Sequence, residues 1–199
     1  MITDQSRISR LALPIGGRDH TLGPPDAPVT LLEYGDYQCP HCGEAFQILK
    51  QVHRRLGHAV QFAFRHFPLA EIHPLALAAA EAAEAAGAQG KFWEMHAALC
   101  ENQHALARPD LLLYARYIGL DMARFRGELE AERWEERVQE DFMTGARSGV
   151  SGTPTFFVNG VRHDGPWDAD TLIDAIAATA AVPASVRADR PGLSRSVRG

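Results

Sequence analysis

Two cysteines separated by a proline and a histidine, Cys39-Pro40-His41-Cys42, constrain this chain more than any other stretch. Such a pair can close a small disulfide when a helix begins at the first cysteine, which leaves the first sulfur exposed and turns the second inward. The helix N-terminus carries about half a positive charge and favours thiolate over thiol at Cys39. A stabilised thiolate is both a ready nucleophile and a good leaving group, as thiol–disulfide exchange requires. The motif predicts a redox-active dithiol, with Cys39 as the nucleophile and Cys42 as the resolving cysteine.

A zinc site is the main alternative for two closely spaced cysteines. Tetrahedral structural zinc needs four ligands, and the third and last cysteine of the chain is Cys100. No second pair of cysteines or histidines follows at ligand spacing, and His41 would have to bind from inside a very tight loop. We therefore expect no metal and no bound cofactor, since the dithiol itself carries two electrons. For Cys100 we expect the role of a small buried hydrophobic residue on a helix.

The two residues between the cysteines are expected to tune the thiolate. A proline such as Pro40 costs no hydrogen bond in the first turn of a helix. A histidine near a thiolate can donate a hydrogen bond or, when protonated, supply a positive charge, and both favour the anion. Because a stabilised reduced form makes the disulfide more oxidising, we expect His41 to set the reduction potential.

Size and composition exclude several other classes of protein. A chain of 199 residues can form one well-cored domain with an inserted subdomain. The net charge of −5 argues against nucleic acid as a partner, because no basic excess is available to neutralise phosphates. No apolar run approaches the length of a membrane span, and Met1 to Leu13 lack the apolar segment of an export signal. Three cysteines with one catalytic pair suit a reducing compartment, so we expect a cytoplasmic protein.

The hydrophobic pattern predicts an α/β frame that is interrupted by helices. A buried strand at Val29–Tyr34, a helix from Cys39 to about Leu56 and a strand at Val60–Phe67 form a βαβ unit. Strand character returns at Thr155–Val158, and the following Asn159-Gly160 is typical of a two-residue hairpin. The predicted division is a lead-in at 1–27, an α/β domain made of 28–74 and 148–182, a helical insertion at 75–147, and a flexible tail at 183–199.

Three features carry a resemblance to a known family: the Cys39–Cys42 motif, the later Gly152-Thr153-Pro154 and this order of elements. In these features the chain resembles the DsbA-like branch of the thioredoxin superfamily over roughly residues 20–180. The resemblance implies a thioredoxin fold, βαβ followed by ββα, with an all-helical insertion that caps the active-site face. It implies that Pro154 is cis and faces the cysteines, and that Thr153 presents backbone to an extended substrate. Glu33 matches a buried acid that shuttles a proton to the resolving cysteine; an edge carboxylate paired with a lysine is the alternative.

The expected function is thiol–disulfide exchange with protein, peptide or low-molecular-weight thiols. A glutathione-linked transferase or isomerase could use the same fold, although such enzymes usually need one nucleophile and this chain keeps both Cys39 and Cys42. A non-catalytic peptide-binding or chaperone module would instead use the apolar surface around Pro154. Thr153 leaves the direction of electron flow open between oxidase, reductase and isomerase. The sequence gives no indication of the oligomeric state.

Overall fold

Five strands form one mixed sheet in the computed structural model, which describes residues 9–180. Their order across the sheet is first, third, second, fourth, fifth. The central second and third strands are parallel, and the other neighbouring pairs are antiparallel. The strands are β1 (His20–Leu22), β2 (Val29–Gly35), β3 (Val60–His66), β4 (Thr155–Val158) and β5 (Val161–His163).

Seven α-helices accompany the sheet within the described residues. Five of them, α2 to α6, follow one another between β3 and β4, so the predicted all-helical insertion into a thioredoxin fold is confirmed. The predicted tail at 183–199 lies outside the described residues. The helices are α1 (Pro40–Leu56), α2 (Ala76–Gly87), α3 (Phe92–Glu101), α4 (Arg108–Tyr117), α5 (Met122–Glu130), α6 (Glu135–Arg147) and α7 (Ala169–Ala180).

The strand β1 lies within residues 1–27, where the sequence predicts only an irregular lead-in. It pairs antiparallel with β3, so that His20 lies opposite Phe64. Three residues are too few to show an alternating pattern, and the strand is held by contacts from distant parts of the chain. The His20 ring stacks on Phe92 with centroids 3.6 Å apart, and its Nε2 lies 3.0 Å from a carboxylate oxygen of Glu84.

The hairpin between β4 and β5 forms where the sequence predicted it. Asn159 and Gly160 have φ angles of 46° and 75°, the left-handed conformations that a tight two-residue turn requires. The Asn159 side chain also accepts a hydrogen bond of 2.7 Å from the backbone N–H of Thr30. The turn is therefore fixed to the central strand β2.

Helices cover both faces of the sheet and place the start of α1 at the end of β2. On one face, α1 and α7 pack against β2 and β4 through residues such as Leu49 and Ile176. On the other face, Tyr34 and Phe157 pack with Phe142 of α6. Because successive residues of a strand point to opposite faces, Glu33 lies on the α1 side of the sheet. Among residues 9–180, no helix combines the length and the apolarity needed to cross a bilayer.

Buried acidic side chains connect the helical insertion to the sheet. The Glu84 carboxylate of α2 forms hydrogen bonds with both His20 and His66. Burial alone would raise the pKa of Glu84, but these two hydrogen bonds hold it below its ordinary value. Asp141 of α6 pairs with Arg137 and accepts a hydrogen bond from the backbone N–H of His66. The acidic and histidine side chains of this cluster could in principle hold a cation. Their oxygens are already occupied by these partners, so we assign the cluster to ion pairing.

Candidate active site

The two cysteines of the motif lie at the N-terminus of α1. Cys39 is the N-cap residue and Pro40 the first residue of the helix, as the sequence predicted. Both cysteines are free thiols in this structure. Cys39 is only 5% exposed and Cys42 4% exposed, so the first sulfur is less accessible than expected. The reason is the segment before β4, whose Thr153 carbonyl lies 3.4 Å from the Cys39 sulfur.

The surroundings of the dithiol favour a negative charge on one sulfur. A hydrogen bond from the Cys42 thiol has the largest effect on the pKa of Cys39, which it lowers. Thr153 and the backbone N–H groups of His41 and Cys42 lower it further. Together they outweigh the opposing effect of burial, and the pKa of Cys39 is about 5. Cys42 donates that hydrogen bond, is buried and lies near Glu33, so its pKa is raised well above the ordinary value. The site therefore contains a thiolate at Cys39 and a protonated thiol at Cys42 near neutral pH.

The Thr153–Pro154 segment lies against the first cysteine. Its peptide bond is cis, and the carbonyl of Thr153 accepts the Cys39 thiol. The Thr153 hydroxyl is buried and has no hydrogen-bond partner within residues 9–180 while Cys39 is a thiol. When Cys39 ionises, that hydroxyl becomes a donor to the thiolate, which explains its contribution to the lowered pKa.

Glu33 lies in the centre of the sheet, close to the dithiol. It belongs to β2, which is flanked by β3 and β4, and it is 2% exposed. The alternative of an edge carboxylate is therefore wrong. Burial, with a smaller contribution from the charge on Cys39, raises the pKa of Glu33 to about 8. A carboxyl group with such a pKa can exchange a proton in the physiological range.

The His41 side chain is exposed to solvent, and its described contacts are with Glu44 and Trp167. Its Nδ1 lies 3.3 Å from Glu44, and its ring meets Trp167 edge to face at 6.5 Å. The stabilisation that His41 gives to the Cys39 thiolate comes from its backbone N–H. The control of the reduction potential by the imidazole stays a prediction, while Cys42 and Thr153 make the direct contacts with the sulfur.

Asp36 is an active-site residue that the sequence reasoning missed. Its buried carboxylate accepts hydrogen bonds from the backbone N–H groups of Gln38 at 2.7 Å and Leu69 at 2.9 Å, and from His73 at 2.8 Å. Its own backbone N–H donates to the Cys42 sulfur at 3.4 Å. Asp36 thus connects the turn before the cysteines to the segment after β3.

Gln103, in the turn after α3, is a second missed residue. Its Nε2 donates to the carbonyls of Tyr37 at 2.9 Å and Cys39 at 2.7 Å. A Cβ atom added to Gly43 would lie 2.2 Å from the Gln103 Oε1, so a larger residue there would displace the Gln103 side chain. A glycine inside a helix costs about 1 kcal/mol relative to alanine. Gly43, directly after the motif, was therefore a signal that another part of the chain approaches closely.

A buried polar chain lies behind the site. Burial lowers the pKa of His96 to about 3, so the ring is neutral, while the pKa of Tyr37 is raised, also mainly by burial. The Tyr37 hydroxyl and His96 Nδ1 share a hydrogen bond of 3.0 Å, and the other ring nitrogen of His96 is Nε2. That nitrogen lies 3.9 Å from the sulfur of Cys100. Cys100 is 8% exposed, in agreement with the buried role expected for it.

Comparison with known proteins identifies the family. A family model described as thioredoxin matches residues 16–178. The chain belongs to the thioredoxin family. Solved structures with the same fold include α-DsbA1 from Wolbachia pipientis, which superposes with a TM-score of 0.71 at 22% identity, covering 85% of this chain and 94% of its own.

Two solved thioredoxin-fold structures show how much of the chain is shared. BdbD from Bacillus subtilis superposes with a TM-score of 0.78 at 23% identity, covering 87% of this chain and 99% of its own. A thioredoxin-like oxidoreductase from Silicibacter pomeroyi gives 0.73 at 28% identity, covering 82% of this chain and 92% of its own. These matches and the paired cysteines support thiol–disulfide exchange.

Curated relatives contain the same thioredoxin-family region within longer proteins. The Na(+)/H(+) antiporter NhaA 1 of Salinispora arenicola is 48% identical over 159 residues, which are 80% of this chain and 24% of that protein. The chain thus spans about a quarter of the length of this relative. The activity named for the longer protein is not assigned to this chain.

Proposed function

We propose that the protein is a DsbA-like thiol–disulfide oxidoreductase that acts on protein or low-molecular-weight thiols and disulfides. One observation carries the proposal: Cys39 starts a helix next to Thr153-Pro154, and its pKa is held at about 5 by Cys42 and its other neighbours. With such a pKa, the thiolate outnumbers the thiol by about 100 to 1 at pH 7. The protein therefore has a nucleophile that is active without a base.

In the reducing direction, the reaction begins at Cys39. The thiolate attacks one sulfur of a substrate disulfide, a Cys39–substrate disulfide forms, and the other substrate sulfur leaves as a thiolate that takes a proton from water. Thr153 lies beside the reacting sulfur, where its backbone can pair with an extended substrate segment. The mixed disulfide holds the substrate against the site until Cys42 reacts.

Cys42 completes the exchange with help from Glu33. Because the pKa of the Cys42 thiol is raised, it needs a base before it can attack. The Glu33 carboxylate accepts that proton, the Cys42 sulfur attacks Cys39, and the second substrate sulfur leaves as a thiolate. One substrate disulfide has then become two thiols, and the protein has lost two electrons and gained the Cys39–Cys42 disulfide. The oxidising direction is the reverse of these steps.

The redox equilibrium of the dithiol in glutathione buffers tests the proposal. Thiol alkylation followed by mass measurement should show a single two-electron transition, lost in Cys39→Ser and Cys42→Ser and kept in Cys100→Ser. The absence of a disulfide at every ratio of oxidised to reduced glutathione would refute it. The measured potential would also decide the direction of electron flow.

Two further assays separate the alternatives. A double variant with serine at both Cys39 and Cys42 that still prevents aggregation of an unfolded protein would favour a peptide-binding module. Turnover that needs Cys39 but not Cys42 would favour a glutathione-linked transferase. We also propose a cytoplasmic location, where the dithiol would stand reduced; cell fractionation with alkylation in situ tests both points.

A further inference from the structure

A second feature of the molecule is an apolar cavity of about 270 Å³ along the side of α1. It lies between the middle of that helix, the β1–β3 side of the sheet, and α3. Its wall includes Leu31, Phe46, Leu49, Phe62 and Trp93. It shares no residue with the catalytic pair or with the Thr153-Pro154 segment, so it is a separate site from the one that performs exchange.

The interior of this cavity offers no free hydrogen-bonding side chain. His96 lines it, but Tyr37 occupies one ring nitrogen and the Cys100 sulfur lies against the other. The indole N–H of Trp93 is directed to the carbonyl of Thr21 at 3.0 Å. A polar group placed inside would lose its bonds to water without replacement. The buried part of any ligand must therefore be hydrocarbon.

The mouth of the cavity is positively charged. The exposed side chains of Lys50, His53 and Arg54 line it on the α1 side. The ammonium group of Lys50 lies 5.1 Å from the centre of the Phe46 ring and pairs with Glu101 at 3.0 Å. Within residues 9–180, no carboxylate pairs with Arg54. The apolar cavity with the unpaired guanidinium of Arg54 at its mouth therefore matches, in polarity and charge, a molecule with a hydrocarbon body and one anionic end.

We propose that this cavity binds a monocarboxylate with an apolar body of about ten carbon atoms, with its carboxylate between Arg54 and Lys50. The size follows from volume, since a dry cavity of about 150 Å³ accommodates benzene and this one is nearly twice as large. A straight-chain fatty acid of medium length has these properties. The carboxylate stays at the mouth, where it keeps part of its hydration.

Calorimetric titration with decanoate tests the proposal on the reduced full-length protein. We expect one saturable site for decanoate, binding about two- to fivefold weaker for decanol, and no binding of decyltrimethylammonium. Arg54→Gln should reduce decanoate affinity by about two- to fivefold, the range for a partly exposed ion pair, and leave decanol unchanged. Arg55→Gln is the matched control, because it removes the same charge from a side chain that pairs with Asp170.

The position of the ligand is checked by fluorescence. Trp93 lines the cavity, so decanoate should change the tryptophan emission of the wild type, and Trp93→Phe should lose that change while calorimetric binding remains. An emission change that persists in Trp93→Phe would place the ligand elsewhere. Three further results would also overturn the proposal: no saturable decanoate binding below its aggregation concentration, equal losses in Arg54→Gln and Arg55→Gln, or equal binding of the cationic amphiphile.

Discussion

Replacing Cys42 by alanine or by serine separates the causes of the reactive thiolate at Cys39. The hydrogen bond from Cys42 is the largest influence that lowers the pKa of Cys39 to about 5. Alanine removes the donor, whereas serine keeps a hydroxyl at the same position. Both variants remove the resolving sulfur, so a difference between them reports on the hydrogen bond alone.

The size of the effect follows from the strength of such bonds. A hydrogen bond to a charged group contributes about 1.5–3 kcal/mol, and 1.4 kcal/mol corresponds to a factor of ten in an ionisation ratio. In Cys42→Ala, the ratio of thiolate to thiol at Cys39 should therefore fall by about 10- to 150-fold at a given pH. At pH 5, where the wild type is half ionised, less than about a tenth of Cys39 should be thiolate. Cys42→Ser should stay close to the wild type.

The assay is the rate of alkylation of Cys39 against pH, together with the ultraviolet absorbance of the thiolate. The double variant with serine at both Cys39 and Cys42 supplies the background from the buried Cys100. If Cys42→Ala and Cys42→Ser ionise at the same pH as the wild type, the Cys42 hydrogen bond is not the cause. The helix N-terminus and Thr153 would then carry the whole stabilisation.

Three other substitutions test the neighbours of the dithiol. Glu33→Gln should remove a pH dependence of the free energy of unfolding. Because the pKa of Glu33 is raised in the folded protein, the wild type has its full stability below pH 4.5 and loses part of it as the pH rises to about 8. Denaturant unfolding at pH 8.5 should therefore show the variant to be more stable than the wild type by on the order of 5 kcal/mol. Gln103→Ala should lower the rate of exchange and increase the hydrogen exchange of the first turn of α1, because two carbonyls lose their donor, and Gln103→Glu should not restore them. His41→Ala should leave the pH dependence of Cys39 alkylation nearly unchanged, since the ring is exposed and faces Glu44; a clear shift toward higher pH would show that the imidazole does act on the sulfur.

The sequence predicted the α/β frame with its helical insertion, apart from β1, and the helix start at the cysteine motif. Two elements with a strong local signal were found where expected: the helix that begins after Cys39 and the Asn159-Gly160 turn. These features are encoded within a few residues. Turn chemistry and helix capping depend on local geometry, so sequence reasoning reaches them.

The parts that could not be predicted depend on contacts between distant segments. Gln103 supports Cys39 from a position 64 residues away, and nothing around it in the sequence marks that role. Asp36 is similar, because its partners Leu69 and His73 come from the segment after β3. The contacts of the His41 ring with Glu44 and Trp167 also could not be predicted, because the direction of an exposed side chain depends on its neighbours in space.

Glu33 and Cys39 form a coupled pair, and the coupling orders the steps of exchange. The charge of the Cys39 thiolate contributes to the raised pKa of Glu33, so at pH 7 the acid is mostly protonated while the nucleophile waits. Formation of the mixed disulfide removes the negative charge from Cys39. The pKa of Glu33 then falls by the smaller part of its shift, because burial, the larger cause, remains. A larger fraction of Glu33 is then carboxylate when Cys42 must be deprotonated. On this argument Glu33→Gln slows resolution of a mixed disulfide but not its formation, because the carboxylate is needed only after the first sulfur has reacted.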